Sequence, residues 1–205
     1  HKMGNQSNIV NPAAFAAETG TSSSNLYINI NGQGTGTLTG ANVAPTLVKT
    51  DRLLGFGEHA TRAVNSAAEN DLFSAGEIDA SWVYIEVMRT PAAMYLQNCF
   101  YLGTNVSSIN VFRADMINST LSVTESINFT NCIITRLEAS AVSLEGNKLD
   151  TLKAWFRFLQ RNDTLYTYAQ GGQLKGQVVS FINFRGLNYS SSNSPTQAAT
   201  PAAGA

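Results

Sequence analysis

Charge is the first thing this chain is short of. Asp, Glu, Lys and Arg make up 13% of its 205 residues, and the formal net charge is −1; a typical globular domain carries roughly 25% of such residues. No basic stripe offsets the balance, so the positive footprint that a nucleic acid or an anionic membrane requires is missing. Long apolar runs are absent as well. None approaches the roughly 18 residues of a membrane-spanning helix, and no charged-then-apolar start with a cleavage site marks a general secretory signal. No membrane insertion is expected, and export, if it occurs, needs another route.

Catalytic residue types are equally scarce. Of the two histidines, His1 belongs to "HKMG", which reads as an expression remnant ahead of Met3, and only His59 remains as an imidazole base. There is no G-x-S-x-G elbow, and neither cysteine has a His near it in sequence. Asp71, Glu77 and Asp79 cluster without a partner that would make them an acid and base pair. One His cannot build a metal site, so the expectation is no enzyme, no cofactor and no metal. The two cysteines, Cys99 and Cys132, each lie in an apolar segment without CxxC spacing. They read as small buried hydrophobes in preference to a disulfide.

What the chain has instead is Asn, Ser and Thr, at 20, 19 and 19 copies. A neutral surface of short hydrogen-bonding side chains is cheaper to desolvate than one of Lys and Glu, which suggests repeated self-association. The glycine cluster in "NINGQGTGTLTG", Gly32, Gly34 and Gly36, does not alter this. A phosphate cradle needs a strand, the glycine turn and then a helix whose free N–H groups face the anion. Here the strand "LYINI" is present, but a Thr and Gly run ending at Pro45 replaces the helix. The segment reads as a turn.

Strand signals dominate the rest. "AMYLQNCFYLG", "SSINVFRA", "SINFTNCIITRLEAS", "KLDTLKAWFRFLQ", "TLYTYAQ" and "LKGQVVSFINF" are short, β-branched or aromatic, and bounded by Gly, Asn and Asp. In the fourth, Leu152, Ala154, Phe156 and Phe158 share one face and Lys153, Trp155, Arg157 and Leu159 the other. Such a succession predicts an antiparallel sandwich or closed barrel. Glu77 to Pro91, "EIDASWVYIEVMRTP", is assigned to the one helix, capped by Asp79 or Ser81 and stopped by Pro91. Its apolar residues cover most of the circumference, leaving Trp82, Glu86 and Arg89 for a neighbouring subunit. Gly55 to Asn70, "GFGEHATRAVNSAAEN", reads as a long projecting loop that docks onto something. Three regions follow: a flexible arm over 1–24, a β-barrel domain over 25–189, and a disordered tail over 190–205.

The order of these parts resembles Hcp, the tube protein of bacterial type VI secretion systems. The resemblance rests on "LYINI", a strand reaching "LLGFG", a long loop, "EIDASWVYIEVM", "ESINFTNCIITRLEAS" and the closing "LDTLKAWFRFLQRNDTLYTYAQGGQLKGQVVSFINF". It implies a mainly β fold: an antiparallel barrel of two packed sheets with one α-helix and a long projecting loop. It further implies six copies closing into a ring, and rings stacking into a tube that a contractile sheath ejects. Sheath and spike proteins would be partners, effector cargo could occupy the lumen, and the protein would pass from the bacterial cytoplasm to the outside or into a target cell without a signal peptide. Carried onto this chain, Gly55, Glu58, His59, Arg62, Asn65 and Asn70 belong to the ring-stacking loop. Trp82, Glu86, Arg89, Trp155 and Arg157 face a ring neighbour. A phage or phage-like tail tube protein is the alternative with the same architecture, and a β-barrel lectin or enzyme the alternative with a different role.

Overall fold

A computed structural model describes residues 25–32, 34, 38, 41–65, 74–144, 147–184 and 194–197. The expected arm over 1–24 lies outside them, as does the tail over 190–205 apart from Ser194–Gln197. The strands in chain order are β1 (Leu26–Ile30), β2 (Asp51–Asn65), β3 (Ser74–Met88), β4 (Val106–Ile117), β5 (Thr120–Leu144), β6 (Asn147–Arg157), β7 (Gln160–Tyr168), β8 (Leu174–Asn183) and β9 (Ser194–Gln197). Between β3 and β4 lies α1 (Pro91–Leu102), the one α-helix among the described residues.

The named strands all pair antiparallel. Followed from neighbour to neighbour, β4–β1–β2–β3–β6–β5 returns to β4, so the pairings close a circuit. Two sheets share β5 because that strand is 25 residues long. Its first half pairs with β4 as far as Cys132, and its second half, from Ile133, pairs with β6. Two residues before Ile133 stands Asn131, a non-glycine residue in the left-handed region with φ 51, which Asn is among the residues to tolerate. β7 continues along the edge that β6 occupies, with Thr130 opposite Gln160, and β8 and β9 extend that sheet outward.

Alternation explains the core. Val83, Ile85 and Val87 of β3 and Leu152, Ala154 and Phe156 of β6 point inward and are buried, as period-two strands with one apolar face require. Phe129 of β5 meets Phe156 edge-on at 5.3 Å and Phe158 at 4.9 Å, a geometry that suits the ring quadrupoles. Cys99 and Cys132 are both buried and unpaired.

Two segments differ from the expectation. Glu77 to Met88 is not the helix but most of β3. The apolar residues that seemed to cover a helical circumference are Val83, Ile85 and Val87 on one side of a strand, with Trp82, Tyr84 and Glu86 on the other. The helix is the next segment, which had the look of a strand. Its signals are explicit: Thr90 accepts a hydrogen bond from the Ala93 N–H, Pro91 takes the first position, and Gly103 ends it with φ 66. Gly55–Asn65 is likewise not a loop. It is the outer part of β2, in register with β3 as far as Asn65 opposite Ser74. β6 accompanies β3 only from Val83 to Met88, so beyond Glu58 and Val83 the β2–β3 pair overhangs the barrel as a hairpin arm.

The glycine cluster is a turn as far as it is described. Asn31 and Gly32 both have positive φ, and a Cβ on Gly34 would sit 2.4 Å from the Lys49 carbonyl oxygen. Among the described residues, the next helical piece is a three-residue 3-10 turn at Pro45–Leu47, too short to present a helix N-terminus to a phosphate. In the expected tail, Ser194–Gln197 pair with β8.

Candidate functional site

The face of the sheet β2–β3–β6–β5 that points away from the core holds most of the residues singled out from the sequence. Its rows follow from register. Trp82 lies opposite His59, and their rings stack 5.5 Å apart with planes at 17°. In the next row Gly57, Tyr84, Trp155 and Arg136 are cross-strand neighbours. The Tyr84 and Trp155 rings are 5.0 Å apart, and the Arg136 guanidinium lies 4.5 Å from the Trp155 ring centre, within cation–π range. The third row is Gly55, Glu86, Lys153 and Glu138. Arg136 also forms a salt bridge with Glu138.

Gly55 has a packing reason to be glycine. An added Cβ would meet the Glu86 Cβ at 3.3 Å and the Tyr84 ring at 3.4 Å. Tyr84 thus lies over bare backbone and its hydroxyl donates to the Glu86 carboxylate at 3.0 Å. Burial first, then the Glu86 charge and that hydrogen bond, hold the Tyr84 hydroxyl protonated far above the ordinary tyrosine range.

The expected site residues therefore divide. Trp82, Glu86 and Trp155 share the face with His59. Arg157 is exposed and two residues along β6 from Trp155; it lines a cleft of about 570 Å³ with Asn105, Asn131, Ile133, Phe158 and Leu159. Arg89 belongs elsewhere, donating to Gln97 Oε1 at 3.3 Å and to Met94 Sδ at 3.7 Å on α1. Glu58 does not stand free on a loop. It pairs with Arg161 of β7, whose Nε also donates to both Asp163 oxygens at 2.8 Å. The Arg161 guanidinium lies 5.4 Å from the Phe129 ring centre. Burial works against its charge, but the Asp163 and Glu58 carboxylates outweigh that and raise its pKa. Arg62 and Asn65 are paired backbone positions in β2, and Asn70 lies outside the described residues.

Tyr84, Arg136, Arg161 and Asp163 were missed. Tyr84 and Arg136 were findable from strand alternation beside Trp82 and Trp155. Arg161 was not, because 103 residues separate it from Glu58.

The other sheet presents a different face. Asn29, Asn110, Asn128 and Asn162 are successive cross-strand neighbours. Asn110 Nδ2 donates to Asn29 Oδ1 at 2.7 Å, and Asn128 donates to Asn110. This amide ladder accounts for part of the uncharged polarity seen in the composition. Among the described residues no group of three or more His, Cys, Asp or Glu could hold a metal.

Among the described residues, two sheets sharing one long strand, a single helix and an overhanging β2–β3 pair define a mainly β, antiparallel barrel. Solved structures of Hcp and type VI secretion proteins match it, and the chain has their fold. A structure described as a type six secretion system protein superimposes with a TM-score of 0.63 at 14% identity, covering 78% of this chain and 96% of that one. Hcp1 from Salmonella typhimurium gives a TM-score of 0.54 at 12% identity, covering 78% and 94%. A further Hcp protein gives 0.51 at 13%, covering 67% and 90%. No family model matches the sequence, and no curated protein does.

Proposed function

We propose that this chain is the structural subunit of a type VI secretion inner tube, with no enzymatic role. Six copies close into a ring, rings stack through the β2–β3 hairpin, and a contractile sheath ejects the stack from the bacterial cytoplasm. Its partners are further copies of itself, the sheath and spike proteins, and effector cargo in the bore.

The observation that carries this reading is a pair of long free strand edges. Among the described residues, β2 from Gly55 to Asn65 pairs only with β3, and β5 from Ile133 to Leu144 pairs only with β6. Both edges belong to one four-stranded sheet in which β2 and β5 run in opposite directions, since three antiparallel steps separate them. An unpaired edge of this length is a template for another strand. The edge of β5 in one copy can therefore meet that of β2 in the next as an ordinary antiparallel pair, a heterologous contact that rotation closes into a ring.

Size-exclusion chromatography with light scattering, followed by negative-stain imaging of the main peak, tests this. Annular particles are expected. A single 22.0 kDa species at high concentration overturns it, and rings that form only on a tail initiator identify a phage-like tail tube instead.

A further inference from the structure

We infer that the short strand β9, Ser194–Gln197, is a cover that the chain lays along the β8 edge of its own sheet, and that a second copy of the chain pairs with this edge when the cover is lifted. The β8 edge takes no part in the ring proposed above, so the two can fail separately.

Among the described residues, only β9 lies beyond β8 in the strand order. One side of β8 pairs with β7 over Leu174–Asn183, and the other pairs with β9 at Gly176–Val179. From Gln177 to Phe184 the chain reads "QVVSFINF", with no charge, no proline and no glycine, and five of these eight residues are Val, Ile or Phe. A segment of this kind pairs readily with its own copies. "VSSINVF" in β4 is equally uncharged, but β1 and β5 flank it on both sides. The side chains of β8 do not defend the edge either. Val178 is 40% exposed beside its β7 partner Leu165 at 51%, and Leu174 is 48% exposed. Natural sheets blunt such an edge with charge, with proline or with a very short last strand.

β9 supplies the last two of these. It is four residues long, and Pro195 stands opposite Val178. An edge strand admits proline where the missing N–H would point away from its partner. Backbone groups of successive residues point to opposite sides of a strand, so that orientation turns the Thr196 N–H toward β8 and leaves the outward side of β9 without a donor at Pro195. β9 thus closes the β8 edge without offering a full ladder to a further strand. With β9 lifted, the β8 edges of two copies can meet antiparallel about a two-fold axis.

Two full-length variants test this. Thr196→Pro removes the N–H that holds β9 and keeps the length of the chain. Its molar mass by light scattering should at least double relative to the unmodified protein at the same concentration, with circular dichroism unchanged. Adding Val178→Lys puts a charge on the exposed β8 position and should return the mass to that of the unmodified protein. Hydrogen exchange, read by mass spectrometry at a dilution where all are dispersed, should quicken at Gly176–Val179 in Thr196→Pro and stay unchanged in β4. An unchanged mass in Thr196→Pro overturns the inference, because the uncovered edge then recruits no copy. Association that Val178→Lys fails to reverse overturns it by placing the contact elsewhere. Exchange at Gly176–Val179 that is already fast in the unmodified protein shows that β9 does not cover the edge, and loss of the native spectrum in Thr196→Pro shows that β9 supports the fold and is no cover. Absence of annuli from the unmodified protein removes the tube reading and leaves this comparison of masses intact.

Discussion

Cys132 shows how much one small side chain depends on its surroundings. It is fully buried where β5 leaves β4, and burial pushes its thiol pKa up to about 12, against a smaller opposing effect of a backbone hydrogen bond at Ile109. In the unfolded chain the thiol ionises near its usual value of about 8.5. The raised folded pKa means that its contribution to stability is complete below that value and is lost as pH rises toward about 12, at up to roughly 1.4 kcal/mol per pH unit. Urea denaturation at a series of alkaline pH values should show this decline. Cys132→Ala should start less stable but decline less steeply, and an unchanged slope would show that the thiol stays accessible to solvent. Burial of both cysteines was legible, since each stood in an apolar segment without chemistry around it. The pairing of Glu58 with Arg161 was not, because no local pattern links positions so far apart in the chain.

At the scale of elements, that same pair sits where the hairpin leaves the barrel. Glu58 lies opposite Val83, the last β3 residue accompanied by β6, so Arg161 ties the root of the arm across to β7. Arg161→Ala should cost about 2 kcal/mol, below the roughly 3–5 of a fully buried pair, because Glu58 and Asp163 keep 32% and 29% of their side-chain surface exposed. Hydrogen exchange should also quicken along Thr61–Asn65 and its β3 partners while the inner strands keep their protection. If exchange rises equally everywhere, Arg161 supports the whole fold and not the arm. Pro91, Thr90 and Gly103 framed the helix in plain view, yet Val83, Tyr84, Ile85 and Val87 fit a helical surface about as well as a strand. Short apolar runs are ambiguous by periodicity alone, and the caps are what separate them. Replacing the N-cap, Thr90→Ala, should lower stability by about 1 kcal/mol in the same denaturation assay.

Across the whole molecule, the alternating strands made a two-sheet antiparallel barrel readable, but its closure depends on pairings no local pattern reports. β1 meets β2 at only two positions, Tyr27 and Ile28, and β5 changes partners halfway along. The edges of β2 and β5 that lack a partner among the described residues emerge only from that complete circuit, and with them a division of labour that mutation can separate. Shortening the hairpin by joining Thr61 to Asp79 through an Asn-Gly turn keeps the rows from Gly55 to His59 and removes most of the overhang. Asn-Gly suits a two-residue hairpin, so the barrel should fold and form annuli that no longer stack. Ala139→Lys with Ala141→Lys instead places two charges on the free edge of β5, where both alanines are exposed. Natural edge strands use lysine in this way to refuse a partner, so this variant should remain a folded single chain with unchanged circular dichroism. Sizing and negative stain of the two variants side by side decide the matter. If the hairpin variant loses its rings and the lysine variant keeps them, the arm and not the strand edge joins neighbouring copies.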